Sequence, residues 1–310
     1  MVRQRVSYKL LAAFAVVAVV ALGAVDVEAK QGGVMSAEPA TAGSSQVGGI
    51  VSTFTSFVVP RGVGALAISL EQLIASSGAT AAVTVVELGG TDPVVWSVNA
   101  GEVFTAASTY KLAALMLEAE NIATGKVDPN GYVCFEDGDY EEGWFDDYQD
   151  GACFTRNQLA VRAGTYSDNT AGHMLVRDVG GAAVLNAWAA SIGATSSDFF
   201  TANTTTPADL AALWTAEAKG ELGGGAAQAW LYPLLTNTRT ESGIPAGVRG
   251  ATVVHKTGTI DLVDNDAALV TSSPSGPYVL VAMTDGLGGA DGWQLIAGIS
   301  TVVWQFEASR

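Results

Sequence analysis

The sequence predicts a layered α/β protein: a mainly antiparallel five-stranded sheet with terminal helices, and an all-helical subdomain inserted at about 112–240. Two observations carry this. Strand-like runs stand at both ends of the domain, at 82–88 and 94–98, then at 251–255, 266–271 and 278–284. The long middle is built from Ala- and Leu-rich stretches that read as helices. At 310 residues, 49% hydrophobic and 15% charged, the chain has material for a sizeable core and is not wholesale disordered.

The elements follow in order. Leu66, Leu70, Leu73 and Ile74 recur at helical spacing, and Gly78 follows as a stop. AVTVVEL and VVWSV read as two strands joined by a Gly-Gly-Thr-Asp-Pro turn. Thr109–Glu120 is helix-forming, with Ser108 expected as its N-cap. Residues 155–190 break into several helical pieces, and Pro207 opens another helix that ends near Gly220. Three consecutive strands follow. Leu295, Ile296, Ile299, Val302, Val303 and Phe306 mark one face of a closing helix.

Arg3, Arg5 and Lys9 precede an uncharged apolar run at 10–25. This is the pattern of an export signal. It is expected to span residues 1–29 and to be cut after Ala29, with Ala24 an alternative cleavage point and retention as an anchor the alternative fate. Sixteen apolar residues are short for a hydrocarbon core of roughly 30 Å, which favours cleavage. Residues 30–64, rich in Gly, Ser, Ala and Thr, are expected to form a flexible spacer, leaving 65–310 as the domain. The expected location is secreted, periplasmic or at the cell surface, and the expected state is monomeric.

The formal net charge is −16, which excludes a broad nucleic-acid-binding face. Two Cys and two His exclude zinc fingers and iron–sulfur clusters, and no metal is expected. Export makes a disulfide between Cys134 and Cys153 the expected use of both thiols. Closing a loop of about twenty residues constrains the unfolded chain by roughly 3 kcal/mol in the entropy picture. The enclosed residues 135–152 hold eight acids, five aromatics and no base. Asp137, Asp139 and Glu141 match the start of a calcium loop, but Glu142 stands where that loop needs Gly and Tyr148 where it needs Glu. A solvated, stapled surface loop is therefore expected, next to any cleft built around Ser167.

Three short motifs can carry chemistry. Ser108 and Lys111 stand three apart at a helix start, so both side chains enter one space. A serine hydroxyl needs a base, and a lysine kept neutral by burial can supply it. The helix start also offers backbone N–H groups to a developing oxyanion. Ser167-Asp168-Asn169 brings a second hydroxyl, able to pass a proton to a leaving nitrogen, and an amide that can hold a carbonyl. Lys256-Thr257-Gly258-Thr259 follows an apolar run. Gly258 there lets a substrate backbone approach an edge strand, and the amine and hydroxyls suit a carboxylate.

In this order, S-x-x-K, S-D-N and K-T-G make a known set, and residues 65–310 resemble class A β-lactamases and the related penicillin-binding proteins. TYSDNTA, NTTTPADLAAL, HKTGT and YVLVAMTDG add to the resemblance. It implies a β-lactamase/transpeptidase-like fold, and an acyl-enzyme on Ser108 with Lys111 as base or proton partner. It implies Ser167 as proton donor to the departing nitrogen and Asn169 as holder of the substrate's acylamino group. Lys256, Thr257 and Thr259 would bind the carboxylate, and the N–H groups of Ser108 and Thr259 would form the oxyanion hole. No cofactor is implied. The implied partner is a β-lactam or a cell-wall peptide.

One departure matters. The class A enzymes carry a glutamate on an omega loop ahead of T-T-T-P, where it activates water for deacylation. The matching stretch here, 178–207, contains no Glu; its acids are Asp178, too early in a helix, and Asp198. Acylation is thus expected to be intact and release slow, with Asp198 the one candidate substitute. Three readings stay open: a β-lactam hydrolase, a penicillin-binding D-alanyl peptidase or esterase, and a protein that binds β-lactams or wall peptides without turnover. His173 and His255 are expected to serve packing and hydrogen bonding, which disfavours a Ser–His–Asp triad.

Overall fold

The computed structural model describes residues 62–90 and 93–310. The export signal at 1–29 and nearly all of the spacer lie outside the described residues. The last spacer residues, Val63 and Gly64, are already in the first helix.

Helix α1 (Val63–Ser77) ends on Gly78 in the left-handed conformation, as a stop there predicts. Strands β1 (Thr80–Glu87), β2 (Val95–Val98) and the short β3 (Phe104–Thr105) follow. Helix α2 spans Tyr110–Ala123. Strands β4 (Tyr132–Cys134) and β5 (Cys153–Thr155) form a hairpin whose ends are joined by the Cys134–Cys153 disulfide. The middle continues with α3 (Arg156–Gly164), α4 (Asn169–Asp178), α5 (Ala182–Ser191), β6 (Thr204–Thr205), α6 (Pro207–Ala218), α7 (Gly224–Leu231) and the single turn α8 (Ile244–Gly247). Strands β7 (Val253–Ile260), β8 (Val263–Val270) and β9 (Tyr278–Asp285) lead into α9 (Gly289–Glu307).

The sheet is five-stranded in the order β2-β1-β9-β8-β7, with every neighbouring pair antiparallel. Alternation along the strands sends side chains to two separate cores. Ala81, Val83, Val85, Leu280 and Ala282 pack under Leu66 and Leu70 of α1 and Ile296, Ile299 and Val303 of α9. Ala82, Val254, Ala267, Val279 and Val281 face the other way, onto α2, α6 and the rest of the middle. Both faces being covered explains why β9 reads as a nearly continuous apolar run from Tyr278 to Met283. Among the described residues, no helix is long and apolar enough to cross a membrane.

Two expectations need correction. The inserted subdomain is not all-helical: it contains the β4–β5 hairpin, and β6 pairs with β3 outside it. Three-residue strands held by a disulfide leave too short a period to show in the sequence. The strand expected at 251–255 also runs on through Ile260, so the K-T-G motif lies within β7.

Candidate active site

A cleft of about 230 Å³ opens between the edge strand β7 and the helical middle. Ser108, Ser167, Asn169, Lys256, Thr257 and Thr259 all line it. A second cavity of about 490 Å³ meets it at Ser108, Asn169 and Thr259. Three chain segments separated by 59 and 89 residues are thus brought together.

Ser108 does not cap α2. Residues Ala107–Thr109 form a 3₁₀ turn that runs straight into the helix, and no side chain caps it. The reason is the turn before it: Ala107 takes φ 48°, a conformation a non-glycine residue holds at a cost of about 1–3 kcal/mol when its surroundings impose it. The hydroxyl, freed from capping, accepts a hydrogen bond from Lys111 Nζ at 2.9 Å. Asn203 Nδ2 donates to Ala107 O at 3.2 Å, and Asn265 Nδ2 to Thr105 O at 2.8 Å, pinning this turn from two sides.

Lys111 is fully buried. Besides Ser108, its ammonium meets the Ser167 carbonyl and Asn169 Oδ1, each at 2.7 Å. Burial pulls its pKa down to about 7, against the pull of Asp168 and Glu141 upward. Gly172 of α4 makes room for it: a Cβ there would fall 2.7 Å from Lys111 Cε and 2.6 Å from Tyr110 Oη. Ser167 also has positive φ, 60°. Its carbonyl reaches Lys111 while its Oγ accepts from Lys256 Nζ at 2.9 Å. Lys256 is almost wholly buried, and burial, reinforced by the neighbouring Lys111 charge, holds its pKa well below the usual lysine value. Asp168 caps α4 through Ala171 N–H and accepts from Tyr148 Oη at 2.6 Å and Trp144 N–H at 2.9 Å. The acidic loop is thereby tied to the S-D-N turn.

Gly258 differs from expectation in what approaches it. A Cβ there would sit 2.7 Å from Ala106 O and 2.9 Å from both Ser108 N and Thr109 N. The backbone that comes close is the Ser108 turn of the protein itself.

The model of the beta-lactamase enzyme family matches residues 65–306. The chain belongs to that family. Among solved structures, "PBP-A" is 28% identical, with a TM-score of 0.73, covering 79% of this chain and 97% of that one. A variant of PBP-A, determined as an acyl-enzyme complex with penicillin G, matches with a TM-score of 0.71 at the same identity and coverage. A beta-lactamase from Burkholderia phymatum is 25% identical, with a TM-score of 0.68, covering 78% of this chain and 96% of that one. The fold is the serine hydrolase fold of beta-lactamases, and the expected resemblance holds.

In this beta-lactamase-type cleft and the cavity beside it, several lining residues were not among the expected site residues. Arg239 stacks over Trp144 at 4.0 Å from the ring centre, and both line the cleft. Glu141 and Asn203 line the second cavity. Asn169 is more occupied than expected: its Nδ2 donates to Glu141 Oε1 at 2.9 Å and to Glu142 O at 3.2 Å. Asp137, Asp139 and Glu141 do not converge as calcium ligands would. Asp139 pairs with Arg177, and Glu141 with His173 Nε2 at 2.9 Å. Asp198 lines neither cavity, and its Oδ1 accepts from Asn186. His255 Nδ1 lies 2.9 Å from Asp266 Oδ1 and its Nε2 3.1 Å from Glu241 Oε1. Both its ring nitrogens are thus spent on carboxylates.

Proposed function

We propose that this chain is an exported serine hydrolase that β-lactams acylate at Ser108, and that it opens the β-lactam amide with slow release of the product. The observation that supports it most is the 2.9 Å contact between Ser108 Oγ and a buried Lys111 inside a cleft closed by Ser167 and Lys256.

The steps follow from the hydrogen bonds. With its pKa near 7, Lys111 is readily neutral. The neutral amine donates to Ser167 O and Asn169 Oδ1 and keeps a lone pair for the Ser108 proton. Oγ then attacks the lactam carbonyl. The oxyanion is met by the N–H groups of Ser108 and Thr259 in this proposal, which suits the close packing of Gly258 on the Ser108 turn. As the C–N bond breaks, Ser167 gives its proton to the nitrogen, and Lys256 Nζ, 2.9 Å away, stands ready to replace it. Thr257, Thr259, Lys256 and the nearby Arg239 offer a carboxylate site. For the acylamino carbonyl to take Asn169 Nδ2, one of the two oxygens now held there must yield.

A second reading has its own support. The absence of Glu from 178–207 and the likeness to PBP-A favour a penicillin-binding peptidase or esterase acting on wall peptides. Cephalosporin turnover assayed beside fluorescent-penicillin labelling separates the two. Turnover favours the hydrolase; stable labelling with cleavage of a D-alanyl peptide favours the peptidase. Labelling that survives Ser108→Ala refutes both.

A further inference from the structure

We propose that Glu141 is the general base that releases the acyl group from Ser108, acting on a water held between Glu141, Tyr110 and Asn203. This rests on the acyl-enzyme reading above and gives that reading's second half a base from outside 178–207.

The second cavity is built for a polar guest. Tyr110 Oη and Asn203 Oδ1 are both buried and have no hydrogen-bond partner among the described residues, and both residues line this cavity with Ser108 and Glu141. Buried polar atoms left unpaired are costly, and a water needs two to four polar partners to be held. Three are present. The Tyr110 hydroxyl donates to the water oxygen. The water's two hydrogens go to Asn203 Oδ1 and the Glu141 carboxylate, which leaves a lone pair free. Asn203 Nδ2 is spent on Ala107 O, so its oxygen is the end left for the water. Burial, with Glu141 and Asp168 adding to it, pushes the Tyr110 phenol up, so it remains a donor.

Glu141 is held as a positioned group is held. Its N–H donates to Thr170 Oγ1 at 3.0 Å, and its carbonyl accepts from the same hydroxyl at 2.7 Å. Its two carboxylate oxygens meet Asn169 Nδ2 and His173 Nε2 at 2.9 Å each. His173 is fixed in turn by Asp139 O at Nδ1, 3.1 Å away, and by the edge of Phe200. A substrate carbonyl that takes Asn169 Nδ2 frees Glu141 Oε1 for the water.

The step balances. The water oxygen bonds to the acyl carbon, and its proton passes to Glu141. The bond from the carbon to Ser108 Oγ then breaks. The proton on Glu141 reaches the departing Oγ through solvent in the same cavity, regenerating the serine and releasing the acid.

Intact-mass spectrometry of the full chain with penicillin G times adduct formation and adduct loss separately. Glu141→Gln keeps an acceptor for Asn169 and removes the base. We expect its adduct to form within about threefold of the wild-type rate and to last about 10²-fold longer. Tyr110→Phe, which removes only the unpaired hydroxyl, should also lengthen the lifetime. An unchanged lifetime in either folded variant overturns the proposal. So does an equal loss in both steps, because Glu141 would then merely support Asn169. If the wild type forms no adduct at all, the acyl-enzyme reading fails, and this proposal falls with it.

Discussion

Gly258 packs directly on the backbone of Ser108: a Cβ at 258 would lie 2.9 Å from Ser108 N. The other close atoms are also main-chain, Ala106 O and Thr109 N, so no side chain can swing aside. Gly258→Ala is therefore expected to displace the turn and reduce acylation by about 10²-fold or more, as a misplacement near 1 Å does. Labelling kinetics on the folded variant check this. A rate within threefold of wild type would show that the turn tolerates the shift.

Lys111 sets a pH dependence. In the proposed mechanism its amine accepts the Ser108 proton only when neutral, and its pKa is near 7. Acylation should fall tenfold per unit below about 7 and level off above it. Lys111→Arg, always charged, should lose about 10²–10⁴ in acylation rate at every pH between 6 and 9. Rapid-quench labelling across that range is the measurement.

Ser167→Ala removes the hydroxyl that Lys256 holds at 2.9 Å and leaves the carbonyl that Lys111 uses. The expected loss is about 10²–10⁴ in acylation by a β-lactam, with thermal stability little changed. Paired melting curves and labelling rates test it. Unaltered labelling would overturn the proposed proton-donor role of Ser167.

His255 bears on stability rather than chemistry. Burial alone would lower its pKa, but the charge and hydrogen bonds of Asp266 and Glu241 outweigh this and lift it from 6.5 to about 9. A raised folded pKa means that its stabilisation is whole below about 6.5 and is lost as pH climbs through 9. The amount is on the order of 3 kcal/mol. Lysines with lowered pKa values act in the opposite sense over part of this range, so the test is a difference. Urea midpoints of wild type and His255→Gln should converge between pH 6.5 and 9.5. A constant gap would remove the ionic role.

The sheet and the three motifs were legible because they rest on local signals. Short, nearly continuous apolar runs mark β1 and β9, and S-x-x-K, S-D-N and K-T-G put reactive groups at fixed spacing. What was not legible depends on the third dimension. Ser108 reads as a cap by type and position, yet no side chain caps α2, and Ala107 just ahead of it has positive φ. Gly258 looked like space for substrate, because one strand cannot reveal which backbone crosses it. Glu141 stood among eight acids in 135–152 and read only as part of a broken calcium-loop match. Only the fold shows that Thr170 and His173 single it out.

The chain has two cysteines, and their bond closes the ring from which Trp144 reaches the cleft and Glu141 the second cavity. Ser108 and Lys111 sit instead at the start of α2 and Lys256 on β7, whereas Ser167 lies in the turn between α3 and α4 that Asp168 ties to this ring. Thiol reductants would therefore touch the two halves of a catalytic cycle unequally. On the proposals above, Ser108, Lys111 and Lys256 would keep their scaffold, while Glu141 would lose an anchor of its wall. On the same proposals, whether this one bond is formed would bear on how long the acyl group stays on Ser108.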